Sequence, residues 1–137
     1  MRLVFDTNVL VSVLLTPGGT SDRAFRAAVA IDATFLYDAR MLSEYRAVLS
    51  RPKFRAVIAP PVIEQLVSGL IASGEKIDAL SATLGLPDPD DTPFLEVALT
   101  GRADALVTGN ARHFQPSHGI TVVSPSGLLK LLAVHRD

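Results

Sequence analysis

Arg2-Leu3-Val4-Phe5-Asp6-Thr7-Asn8 is the stretch on which the fold of this chain turns. Four residues, apolar after Arg2, stop at three polar ones, which predicts a buried strand that ends in a polar turn and leads into a helix. Asp6 then stands at the C-terminal end of the first strand. The run Val9 to Leu15 continues as helix until Thr16-Pro17-Gly18-Gly19-Thr20 breaks it, and Ser21-Asp22 is read as the N-cap of a second helix through Ala30.

The same alternation recurs further along. Ala33 to Tyr37 predicts a second strand. Asp38 can cap a helix whose apolar residues Met41, Leu42, Tyr45, Val48 and Leu49 lie on one stripe, ended by Pro52. Pro60-Pro61 opens a helix to about Ser73, and Glu75 to about Leu84 is read as another helical piece before Gly85. A loop from Leu86 to Pro93 leads into a helix over Phe94 to Thr100. Ala105 to Val107 and Thr121 to Val123 read as strands, and a helix from about Ser126 to Val134 follows. Strands alternating with helices in this way predict an α/β fold with a parallel sheet covered on both faces. No repeat or linker divides residues 1–137, so one domain is expected.

Composition narrows the chemistry. With 48% hydrophobic and 20% charged residues the chain suits a globular core, and no apolar run approaches the roughly 20 residues needed to cross a bilayer. The acid so close to Met1 argues against a signal peptide, so a cytoplasmic protein is expected. Zero cysteines exclude disulfides, zinc–thiolate sites and thiol nucleophiles, leaving oxygen or histidine to hold any metal. A net charge of −1 hides an asymmetry. Arg40, Arg46, Arg51, Lys53 and Arg55 face only Glu44 in one stretch, while Glu75, Asp78, Asp88, Asp90 and Asp91 outweigh Lys76 in another.

In an open parallel sheet, ligands bind where the strands end. Asp6 follows the first strand, Asn110 follows the Ala105 strand, and Asp90 or Asp91 lies in the loop entering the preceding helix. On a helical wheel Glu44 falls roughly 40° outside the edge of its apolar stripe, so its carboxylate can reach a cleft. Carboxylates converging within ~4 Å repel by about 4 kcal/mol per pair at an effective dielectric near 20, unless a cation sits among them. An all-oxygen site selects Mg²⁺ or Mn²⁺, and such an ion activates water for phosphodiester hydrolysis. Each residue also has a plainer reading: Asp6 and Asp91 as helix caps, Glu44 as the partner of an arginine on its helix, Asn110 as a turn residue. His113 and His118 have no acid or hydroxyl at a recognisable catalytic spacing, His135 lies in the C-terminal tail, where fraying is expected, and Pro17-Gly18-Gly19 lacks the lysine of a phosphate-binding loop.

Taken in order, Val4-Phe5-Asp6-Thr7-Asn8-Val9-Leu10, Leu42-Ser43-Glu44-Tyr45-Arg46-Ala47-Val48-Leu49 with Arg51-Pro52-Lys53-Phe54, Asp88-Pro89-Asp90-Asp91 with Phe94-Leu95 and Ala98, and Ala103-Asp104-Ala105-Leu106-Val107-Thr108-Gly109-Asn110 with Phe114 resemble a PIN domain. The likeness covers nearly the whole length and is greatest to toxins of bacterial toxin–antitoxin systems. It implies a three-layer α/β/α sandwich around about five parallel strands, Mg²⁺- or Mn²⁺-dependent endoribonuclease activity, a homodimer or higher homo-oligomer, and a cognate antitoxin as partner. By position, Asp6, Glu44 and Asp91 match the family's three central acids, with Asp90 as a substitute for Asp91. The fourth position, often Asp, holds Asn110, whose amide oxygen can still ligate but brings no charge. Asn8, Arg46, Arg51 and Thr108 are the candidate contacts to an RNA substrate. Two other readings stay open. Asn110 favours a PIN-like module that binds RNA or protein without cutting. The first strand also resembles the nucleophile strand of haloacid-dehalogenase-like phosphatases, against which Asn8 fills the position of the acid–base Asp.

Overall fold

The computed structural model describes residues 1–135, the last by its backbone only, so the side chain of His135 lies outside the description. Five strands form one all-parallel sheet: β1 (Arg2–Phe5), β2 (Thr34–Tyr37), β3 (Gly74–Lys76), β4 (Ala105–Val107) and β5 (Val122–Val123). Six helices flank it: α1 (Thr7–Leu15), α2 (Thr20–Ala30), α3 (Ala39–Leu49), α4 (Pro60–Ala72), α5 (Thr92–Thr100) and α6 (Pro125–His135). The strand order is β3-β2-β1-β4-β5. From β1 the chain works outward to β2 and β3, then crosses back to lay β4 on the other side of β1.

The central strands are apolar at every core position because a parallel sheet is covered on both faces. Leu3, Val4, Ala105, Leu106 and Val107 are all 0% exposed. They pair Leu3 with Ala105, Val4 with Leu106 and Phe5 with Val107, so β1 and β4 end level with each other. Phe5, Phe25 and Phe35 stack with ring centroids 5.4 to 5.6 Å apart, locking α2 onto β1 and β2. Asp38 caps α3 as its sequence position predicts, accepting the Met41 N–H at 2.9 Å.

Three local expectations are corrected. The segment from Glu75 to Leu84 is no helix. Gly74 to Lys76 joins the sheet as edge strand β3, and an irregular strap follows. Its polar residues carry no strand pattern, since only one side of β3 is paired and Glu75 and Lys76 face solvent, as charged edges do. The helix α1 begins at Thr7, two residues before the apolar run. The N-cap of α2 is Gly19, not Ser21 or Asp22. The Asp22 carboxylate instead accepts the Gly18 N–H at 2.8 Å and pairs with Arg26.

Gly74 makes the α4-to-β3 junction possible, because a Cβ there would lie 2.3 Å from the Phe35 carbonyl oxygen and 2.4 Å from that of Leu70. Gly74→Ala is therefore expected to cost about 1–3 kcal/mol through overpacking, read as an earlier urea midpoint; an unchanged midpoint would contradict the close approach.

Candidate metal centre

Level strand ends at β1 and β4, with the strand order reversing between them, create the crevice where an open sheet binds ligands. Asp6 extends the ladder by one residue, its N–H donating to the Val107 carbonyl at 2.9 Å. Its carboxylate does not cap α1. Instead Thr108, the residue after β4, donates its hydroxyl to Asp6 Oδ2 at 2.7 Å, and that hydroxyl accepts the Asn110 N–H at 3.0 Å. Asp6 is 6% exposed. Burial raises its pKa, and the Thr108 hydrogen bond only partly opposes this.

Two consecutive residues of α3 attach that helix to the end of β1. Tyr45 donates its hydroxyl to the Phe5 carbonyl, and half-buried Glu44 accepts the hydroxyl of Thr7 at 2.5 Å. Glu44 thus pairs with neither arginine of its own helix, and Arg46 goes to Glu64 at 3.1 Å. Burial, then the charges of Asp6 and Glu44, push the Tyr45 phenol well above its ordinary pKa.

Asp91 closes the single turn Pro89–Asp91 ahead of α5. Asp91 occupies the N-cap position of α5, but its side chain makes no capping hydrogen bond; the preceding turn is capped separately by Asp88, whose carboxylate accepts the Asp90 N–H at 2.9 Å. Its carboxylate is 17% exposed, and Oδ2 is buried with no hydrogen-bond partner. His113 Nδ1, charged only when the ring is protonated, lies 3.6 Å from it. Burial first, then the negative charges of Asp6, Asp88 and Glu44, raise the Asp91 pKa to about 6, with His113 working the other way.

A buried carboxylate oxygen with no hydrogen-bond partner, in the field of further acids, suits a hard divalent cation. Among the described residues no three His, Asp or Glu side chains are gathered closely enough to enclose an ion. An open arrangement of this kind fits Mg²⁺, which keeps several of its waters and takes one or two carboxylates from the protein. Asp6 and Asp91 are the buried oxygen donors available to it, with Glu44 at the border.

The other expected residues spread more widely. Asp90 is exposed on its turn, Asn8 is exposed on the first turn of α1, and Arg46 and Arg51 are exposed around the C-terminal end of α3. Asn110 is exposed and reaches the site through its backbone. Thr108, expected to touch substrate, is 1% exposed with its hydroxyl already committed to Asp6. Sequence reasoning missed Thr7 and His113. A hydroxyl directly after the first aspartate was a signal for Thr7; nothing local marked His113, which meets Asp91 only in the folded chain. His118 serves the scaffold, its ring donating to the Leu84 carbonyl at 2.7 Å.

The chain matches the PIN domain family over residues 2–112. No curated protein matches it. Among solved structures it is similar to a chain of VapBC2 from Rickettsia felis bound to a DNA fragment from their promoter, at 17% identity and a TM-score of 0.62, covering 90% of this chain and 98% of the other. It is also similar to a chain of FitAB bound to an IR36 DNA fragment, at 15% identity and a TM-score of 0.60, covering 90% of this chain and 94% of that one. At such identities the likeness is one of fold.

Two outcomes are expected of chelator-treated protein. Thr108→Val leaves Asp6 Oδ2 buried without its donor and costs about 1–3 kcal/mol at pH 7, measured by denaturant titration. Asp91 binds its proton more tightly folded, near pH 6, than its ordinary 3.8. Its ionised form therefore opposes folding at neutral pH, and stability rises as pH falls through about 6 until the gain is complete below the unfolded value. Asp91→Asn is expected to be up to roughly 2–3 kcal/mol more stable than the parent at pH 7 and to lose that part of the pH dependence; equal stability of the two at pH 7 would refute the assignment.

Proposed function

The chain belongs to the PIN-domain family, and from that membership we propose that it is a Mg²⁺- or Mn²⁺-dependent endoribonuclease acting at the Asp6, Glu44 and Asp91 carboxylates. The observation that carries the proposal is the buried Oδ2 of Asp91, which has no hydrogen-bond partner and lies in the field of Asp6 and Glu44. A bound divalent ion would lower the pKa of its water and stabilise charge on the scissile phosphate. Asp6 presents one carboxylate oxygen while Thr108 holds the other, which limits its rotation. Glu44, steadied by Thr7, can accept a proton from an attacking water or hold a ligating one. The exposed guanidinium groups of Arg46 and Arg51 can take backbone phosphates.

A toxin role with an antitoxin partner is proposed by likeness, since VapBC2 and FitAB are both two-component assemblies on DNA. A groove of about 770 Å³, lined by Val13, Leu14, Phe25, Val62 and Leu66 with Asp22 and Arg26, leaves room on this chain for an apolar helix of such a partner. Exposed, neutral Asn110 favours a second reading as a PIN-like module that binds without cutting.

Purified protein is expected to cleave single-stranded RNA with Mg²⁺ or Mn²⁺. Asp6→Asn and Asp91→Asn should each lower the rate by about a hundredfold or more, because the ion's stabilisation of charge is worth several kcal/mol, while circular dichroism shows the fold intact. Cleavage that survives both substitutions, or thorough EDTA treatment, would remove the metal-dependent reading; RNA binding without cleavage would select the second.

A further inference from the structure

Glu96 is a buried acid outside the carboxylate cluster, 4% exposed in the middle of α5, with both oxygens engaged. Oε1 accepts from Arg40 Nη1 at 2.7 Å, and Oε2 accepts the Ala82 N–H at 2.7 Å. Arg40 also donates from Nε to Asp38 Oδ2 at 2.8 Å, while the other oxygen of Asp38 caps α3. One connected run thus joins the start of α3, the middle of α5 and the strap between β3 and the Asp88 turn.

The strap has no helix or strand over residues 77–88 and needs such ties. It is also held by the Ile77 N–H on the Tyr37 carbonyl, the Leu80 N–H on the Thr100 hydroxyl and the His118 ring on the Leu84 carbonyl, and by Ile77 and Leu84 in the core. Every segment that Glu96 joins carries part of the cluster or leads to it. Glu44 sits one turn after Arg40 on α3, Asp91 stands at the head of α5, and the strap runs into Asp88 and Asp91. Glu96 is buried while Arg40 is half-exposed and also pairs with Asp38, so losing Arg40 would leave the buried carboxylate without its cation, and these segments cannot shift apart cheaply.

We propose that Glu96, acting through Arg40 and Ala82, is a positioning residue that sets the separation of Glu44 and Asp91 and thereby the affinity of the site for a divalent cation. The proposal rests on the metal-centre reading above. Mg²⁺ demands near-ideal octahedral geometry, and metal–ligand distances tolerate errors of only about 0.2 Å. Small displacements of two helices therefore reach the ion although Glu96 itself does not touch it.

The test uses the full chain. Glu96→Gln keeps an acceptor for the Ala82 N–H and removes the charge that holds Arg40. Arg40→Met keeps the apolar stem and removes the guanidinium from both Glu96 and Asp38, and the double variant removes both charges of the Arg40–Glu96 pair. Mn²⁺ affinity is measured by electron paramagnetic resonance of the free ion, well below each variant's own melting temperature, with RNA cleavage kinetics alongside. Expected are a roughly tenfold loss of Mn²⁺ affinity in each variant, no further loss in the double variant because the pair acts as a unit, and a fall in kcat with KM for RNA unchanged. Variants that melt earlier but bind Mn²⁺ like the wild type confine Glu96 to a scaffold role and overturn the proposal. Wild-type protein that binds Mn²⁺ without cutting RNA removes the nuclease reading alone, and the affinities still decide the role of Glu96. Wild-type protein that binds no Mn²⁺ overturns both.

Discussion

The hydrogen bond from Thr108 to Asp6 joins residues 102 positions apart, across the line where the strand order reverses. A carboxylate 6% exposed is costly unless something donates to it, and this hydroxyl is that donor. The bond exists because β1 and β4 are paired in a register that ends both strands together. A shift of one residue would turn the side chain of Thr108 to the other face. The apolar pairing of Leu3, Val4 and Phe5 with Ala105, Leu106 and Val107 is therefore what brings the polar residues after each strand together.

Around that bond the molecule concentrates negative charge, which by itself works against folding. Hydroxyls from Thr7 and Thr108 and the nearby His113 ring offset part of the repulsion for Glu44, Asp6 and Asp91 respectively. Asp91 keeps the remainder, as its raised pKa and unpartnered oxygen record. Sites built to receive a ligand commonly hold such unmet electrostatic demand, because groups arranged for an absent charge destabilise the protein without it. Outside the site the acids are arranged differently: Glu96 and Asp38 share Arg40, and Glu75 pairs with Arg2. Those acids face guanidinium groups, whereas the side chain beside Asp91 is the His113 ring at 3.6 Å.

Much of this was legible in the residues themselves. Continuous apolar runs at Leu3 to Phe5 and Ala105 to Val107 marked buried parallel strands, Asp38 marked the start of α3, and paired prolines marked α4, because each signal is local to its own element. The amphipathic wheel of α3 brought Glu44 to the border of the core. These features establish an α/β chain with acids at strand ends and a helix head, and the order of its motifs carries the resemblance to PIN domains.

Only the tertiary structure decided which of those acids are caps and which are free. Asp91 took the N-cap position of α5 without its side chain capping it, Asp88 capped the short turn before it, and Thr108 became a partner of Asp6 instead of an exposed contact. Strand β3 was invisible because Glu75 and Lys76 are held by backbone pairing with β2, which needs no side-chain pattern. The role of Glu96 was equally hidden among the apolar residues of α5. Propensity, capping and periodicity act between neighbours in the chain, whereas burial and charge at a site depend on segments far apart in sequence, and those are defined only once the chain has closed.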